Sequence, residues 1–223
     1  MGDMTKLATG ALAMAVGWGL GGGGCTLNRG PAHARHAEIA QDRNVSEFRS
    51  IGLEGAFHLD VAVGSPQRVS LEGKAGVLEH VVTSVEDGQL TIQFDAGKLP
   101  RAADVRVTIV TPQLAAVQAE GAAELDIVGL NGPDLSLEVE GATRARLGGE
   151  VEALSVELVG AGSLDALDLL AQSVDIAIVG AGVANVTAVA QLDAEIAGTG
   201  RVRYRGDPAV AKTVHGVGRV RRF

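Results

Sequence analysis

Val156-Glu157-Leu158-Val159-Gly160-Ala161-Gly162-Ser163-Leu164 is followed twenty residues later by Ile176-Ala177-Ile178-Val179-Gly180-Ala181-Gly182-Val183-Ala184, the same pattern in different letters. Aligning on the first glycine of each gives six anchors, Gly121, Gly141, Gly160, Gly180, Gly198 and Gly216, spaced by 20, 19, 20, 18 and 18 residues. A sustained period of this size marks stacked structural repeats. Two residues before each anchor stand Ala119, Val139, Leu158, Ile178, Ile196 and Val214, and polar or small residues occupy the position between these and the next apolar row. Apolar residues also stand four after, from Leu125 to Val220, and Asp126, Arg146, Asp165, Asn185, Arg203 and Arg221 follow them. Alternation with period 2 on both flanks predicts two short strands, each with one buried face. Gly-x-Gly corners at Gly160, Gly180, Gly198 and Gly216 supply the tight turn between them.

One repeat therefore holds two strands and two turns, and stacking would bury a continuous core of small aliphatics. The expected fold is all-β, a right-handed β-helix-like solenoid with coils of about 18–20 residues. The first part of the chain lacks the glycine rhythm. Phe57, Leu59, Val61 and Val63 alternate with His58, Asp60 and Ala62, Val105, Val107 and Ile109 alternate with Arg106 and Thr108, and Asp87-Gly88 has the form of a hairpin turn. Residues 45–111 read as a less regular β-rich half that caps the regular repeats of 112–223.

Composition agrees. The 223 residues are 46% apolar but only 3% aromatic, with 31 glycines, so a core of Val, Leu, Ile and Ala is built around many turns. A net charge of −8 disfavours nucleic acid as a partner.

Leu7 to Leu20 form an uncharged, largely apolar run after Lys6, too short to span a bilayer as a helix and shaped like a secretory leader over residues 1–25. Met4 would make a cleaner start than Met1. Cys25 is the only cysteine, so no internal disulfide can form. The segment resembles a bacterial lipoprotein lipobox, with Gly23 and Gly24 preceding a lipid-modified Cys25, although Gly22 stands where an aliphatic residue is usual. Cleavage after Ala32-His33-Ala34 and an uncleaved anchor are the alternatives. Residues 26–44 read as a polar tether, in which His33 and His36 lack the further ligands a metal site needs. No metal site and no cofactor are expected. The implied location is the cell envelope, periplasm or surface, with the membrane reached only through the N-terminal anchor.

The chain resembles the family described as putative auto-transporter adhesin, head GIN domain. The resemblance is carried by Phe48, Ile51, Gly55, Phe57 and Val61, by Asp87-Gly88-Gln89-Leu90, by the Gly-x-Gly repeats, and by Val202, Tyr204, Gly206 and Pro208 before Gly216-Val217-Gly218. It covers about 45–222 and implies a right-handed β-helix-like fold on exported bacterial proteins, an adhesive role and no catalytic set. Such repeats commonly carry Gly-Ser-Gly-Asp, whereas here Ala161, Ala181, Thr199 and Val217 fill the corners, and Arg201 and Arg219 stand where Asp is usual.

Charge is distributed unevenly. No Lys or Arg occurs from Leu147 through Gly200, whereas Arg201, Arg203, Arg205, Lys212, Arg219, Arg221 and Arg222 crowd the end. Stacking would place Glu124 beside Arg144, Asp126 beside Arg146, and Arg146 beside Asp165. It would also set Arg201 on Arg219 and Arg203 on Arg221, an arrangement an anion could neutralise and the chain's candidate site. The plainer reading is a basic edge that blocks strand addition. Candidate partners are a cell-surface or envelope protein or an acidic glycan, and the acidic body and basic end permit a homo-oligomer. Glu138 and Glu157 would sit one coil apart, near the roughly 5 Å separation of a retaining glycosidase pair, but any outward row provides that spacing. The expected function is that of a non-catalytic adhesin-like module. A periplasmic scaffold is the rival, and a polysaccharide-active enzyme stands third.

Overall fold

Alternating aliphatic residues on either side of a glycine become, in the structure, bent strands packed in parallel around one core. The computed structural model describes residues 38–95 and 104–223. The leader, Cys25 and most of the expected tether, with His33 and His36, lie outside the described residues. The element order is β1 (Glu38–Arg43), β2 (Ser50–Val63), β3 (Arg68–Lys74), a single helical turn α1 (Ala75–Leu78), β4 (Val81–Glu86), β5 (Gln89–Phe94), β6 (Val105–Thr111), β7 (Ala116–Arg205) and β8 (Ala209–Arg222). The all-β expectation is met, with 84% of the described residues in strands of one curled sheet. Six residues assigned to the tether are structured instead: Glu38–Arg43 pair with β3 as an antiparallel strand.

The glycine column starts one repeat earlier than the Gly-x-Gly rhythm suggests. β2 pairs in parallel with the start of β7 in a register that sets Gly55 opposite Gly121 and Phe57 opposite Ala123. At the other end β7 pairs in parallel with β8, Gly198 opposite Gly216. Between them each anchor sits against the one before: a methyl group at Gly141 would strike the Gly121 carbonyl oxygen, one at Gly160 that of Gly141, and one at Gly180 that of Gly160. The anchors also have φ of 108° to 129°. Backbone conformation and close approach both favour glycine there, which explains why glycine stands at every position of the column.

Burial follows the alternation. Val117, Leu137, Val156, Ile176 and Ala194 form one inward row, and Ala119, Val139, Leu158, Ile178 and Ile196 the next, all at most 3% exposed. The expected pair of walls is joined by a third. Leu130, Leu135, Val151, Leu154, Leu169 and Val174, in the segments that return from one repeat to the next, are buried against the same core. In the sequence these segments have the look of turns, because their alternation is broken by Gly129 and Gly149, whose φ of 74° and 133° makes a second corner.

The cap is branched. β5 pairs with the first arm of β2, Ser50–Glu54, and carries β4 beside it as a hairpin. β6 pairs with the second arm, His58–Val63, followed by β3 and β1. Phe57 and Phe94 stack between the branches with ring centroids 4.8 Å apart.

Candidate functional site

The second arm of each repeat points every other residue outward, and at the end of the chain those residues are arginines. The β7–β8 register sets Arg201 opposite Arg219 and Arg203 opposite Arg221, the grid expected from the repeat. Two residues missed as part of it complete the face. Arg205 continues the alternation of Arg201 and Arg203, a signal present in the sequence. Phe223 lies over two arginines of β7, its ring centroid 5.7 Å from the Arg203 guanidinium and 5.3 Å from that of Arg205, within cation–π range. The Phe223 amide donates to the Tyr204 carbonyl at 3.1 Å and fixes this approach.

Among the described residues, none of Arg201, Arg203, Arg205, Arg219 and Arg221 has an ion-pair partner. Arg222, on the alternate face of β8, pairs with Asp207 at 3.1 Å. Nε of Arg203 is buried without an acceptor, as is Oδ1 of Asn185, its neighbour one repeat back, without a donor. Beside the grid a shallow groove of about 410 Å3 runs over Gly182, Gly200 and Gly218, flanked by Arg201 and Arg219.

A second groove, of about 590 Å3, follows the corner along Ala122, Ala142, Ala161 and Ala181, with His58, Glu124 and Arg144 beside it. The charge pairing here differs from expectation. Glu124 faces His58 at 3.1 Å from Nδ1, and His58 Nε2 lies 3.6 Å from Asp104. Arg144 and Arg146 share the face with Glu124 and Asp126 but form no ion pair with them or with Asp165. His58 enters from β2, the repeat that the glycine rhythm did not reveal, and takes the carboxylate first. Arg106 on β6 likewise takes Asp60, at 3.3 Å.

The first arm carries a different ladder. Gln89 Nε2 donates to Gln118 Oε1 at 3.0 Å, and Gln118 Nε2 donates to Glu138 Oε2 at 2.9 Å. Glu138 is thus a rung of an amide–carboxylate row that runs along the sheet toward Glu157. Among the described residues no cluster of His, Cys, Asp and Glu could hold a metal ion, and no helix is long and apolar enough to cross a membrane.

Comparison with a solved structure gives the same fold at low identity. The chain is similar to a crystal structure described as a putative adhesin from Bacteroides fragilis, with a TM-score of 0.62 and 21% identity over 84% of this chain and 97% of the other. A putative adhesin from Parabacteroides distasonis aligns over 85% of this chain and 98% of its own, with a TM-score of 0.49 and 19% identity. A putative lipid binding protein from the same species aligns over 83% and 96%, with a TM-score of 0.48 and 18% identity. A search of curated proteins found no match. The family and the Bacteroides fragilis protein are each described as a putative adhesin. With residues 47–208 matching its model, the chain belongs to the family described as putative auto-transporter adhesin, head GIN domain.

Proposed function

We propose that this chain is a non-catalytic, exported binding module of the cell envelope, tethered by a lipid on Cys25 and wound as a right-handed β-helix-like solenoid. It acts by contact along repeated outward rows of side chains. The observation that carries the reading is the register itself. Because Gly55 stacks on Gly121 and Gly198 on Gly216, each outward position recurs from repeat to repeat on one face. Several weak contacts made along such a row add up to a strong one, which is how a surface without a deep pocket holds a partner. The parallel registers and the glycine column support the solenoid winding, and the family's adhesin description supports both export and contact. The Arg201, Arg203, Arg219 and Arg221 grid is the part of this surface assigned to a partner, either an envelope or cell-surface protein or an acidic glycan.

Labelling intact and permeabilised cells with an antibody raised against residues 45–223 tests the location. Signal on intact cells supports contact with the outside. Signal only after permeabilisation overturns the adhesive reading in favour of a periplasmic scaffold.

A further inference from the structure

We infer that Arg201, Arg203, Arg205, Arg219 and Arg221 form a binding face for an acidic polysaccharide, an extended polymer bearing carboxylate or sulfate groups at intervals. The inference rests on the contact-surface reading and names its ligand class.

Five observations lead to it. The register makes the grid two-dimensional: arginines on neighbouring strands are about 4.8 Å apart across the sheet, and those two residues apart on one strand are about 6.6 Å apart along it. Guanidinium forks at such intervals match planar or tetrahedral oxyanions through paired N–H donors. The charge is also uncompensated. None of the five has an ion-pair partner among the described residues, and the preceding repeat offers Val183, Asn185 and Thr187 at the facing positions, with no carboxylate. Like charges so placed raise one another's energy until an anion arrives.

The remaining observations concern shape and order. Phe223 lies against Arg203 and Arg205, so two of the forks are held before any ligand binds, and less entropy is lost on binding. The groove beside Arg201 and Arg219 runs along the corner between the exposed side chains of Val183 and Val217. It is open and shallow, a form suited to an extended chain. The acidic body, free of Lys and Arg from Leu147 through Gly200, repels a densely charged polymer such as nucleic acid. A glycan gripped only at the basic end avoids most of that repulsion.

The test is equilibrium binding of the full chain to an oligouronate, to dextran sulfate, to neutral dextran of similar length and to inorganic sulfate. The expected result is binding of one or both charged polymers and not of neutral dextran, with affinity falling by at least about tenfold as salt rises from about 50 to about 500 mM. The oligouronate and dextran sulfate arms identify which oxyanion is preferred. Arg203→Glu/Arg221→Glu is expected to lower affinity by about tenfold or more without changing the melting temperature, and Arg203→Lys/Arg221→Lys to keep part of it. Should the Glu variant fail to fold, Arg201→Gln/Arg219→Gln is read in its place, with the same loss expected.

Absence of polymer binding, or binding unchanged in the folded variants, overturns the inference. Inorganic sulfate bound as tightly as the polymer overturns it in favour of a small-anion site. Variants that self-associate while keeping full affinity show that the arginines only guard the edge. Surface labelling does not depend on this ligand, so failure here leaves the proposed location standing.

Discussion

At one end of the sheet β2 is covered by two separate branches, β5 with β4 and β6 with β3 and β1, and Phe48, Phe57 and Phe94 fill the space beneath. At the other end β8 lies bare, and Val210, Val214 and Val217, continuing rows that are buried elsewhere or capping the corner, are 39%, 38% and 78% exposed. The covered end finishes in two free strands of six residues each, β1 and β4. Among the described residues the bare end presents a strand of fourteen residues paired on one side only and studded with arginine. A stacked sheet has to stop somewhere, and an open edge invites another strand. This chain stops one end with bulk and short strands and the other with charge. Only the second solution leaves a surface that a ligand can still reach.

The contrast can be broken most severely from within the row the two regions share. Ile178 is 1% exposed and Val214, two repeats on in the same row, is 38% exposed. Ile178→Asp is expected to cost more than about 4 kcal/mol and abolish cooperative thermal unfolding, because it buries an unpaired charge. Val214→Asp should cost less than about 1 kcal/mol, and Ala177→Asp, facing outward beside Ile178, should be tolerated. Equal melting of Ile178→Asp and Ala177→Asp would mean that the inward register is wrong.

Next in size is the bulk at the covered end. Phe94→Ala removes one ring of the stacked pair and is expected to cost about 3–5 kcal/mol in denaturant unfolding. Loss of that magnitude from the branched cap would show that it is part of the core and not an appendage. The glycine column gives a smaller effect. Gly180→Ala meets both an unfavourable φ of 116° and the Gly160 carbonyl, so a loss of about 2–4 kcal/mol is expected. Gly216→Ala, in the terminal strand, should cost less because β8 can yield without disturbing the strands before it.

Arg219→Ser/Arg221→Ser should change monomer stability by less than about 0.5 kcal/mol. It should nevertheless raise concentration-dependent association in analytical ultracentrifugation, because it strips the long edge of charge. The smallest effect belongs to the covered end's own exposed pair. Hydrogen bonding to Arg68 holds the Asp42 carboxyl below its ordinary value of 3.8. Its stabilising contribution is therefore complete above that ordinary value and is lost as the pH falls through the lower value in the folded protein. Asp42→Asn should erase this acid dependence while leaving the melting temperature at neutral pH almost unchanged.

The regular repeats were legible because two unrelated requirements fall on the same residue. Gly160 and Gly180 satisfy φ and close approach at once, so the anchor is conspicuous, and the aliphatic rows on either side repeat it. Gly55 satisfies the same backbone requirement, with φ of 128°, but Phe57 stands where later repeats carry glycine, and the Gly-x-Gly cue is lost. The return wall was hidden for a similar reason, since the bend at Gly129 or Gly149 breaks period 2 before Leu130 or Val151 can register as part of a strand. At the arginine face, spacing alone paired Arg201 with Arg219 and Arg203 with Arg221. The approach of Phe223 depends on how the chain lies beyond the last strand pair, which periodicity does not reach. The expected contact of Glu124 with Arg144 failed because spacing gives adjacency and leaves open which neighbour a carboxylate selects.

The glycine column also makes the length of the molecule an adjustable quantity. From Gly121 to Gly216 each anchor lies against the carbonyl of the anchor before it, so a repeat finds much the same surroundings wherever it is placed. Removing or duplicating one unit of 18–20 residues would leave both ends as they are and move them closer or farther apart by about 4.8 Å. The number of repeats would then act as a ruler, holding the arginine-bearing end at a set distance from the capped end.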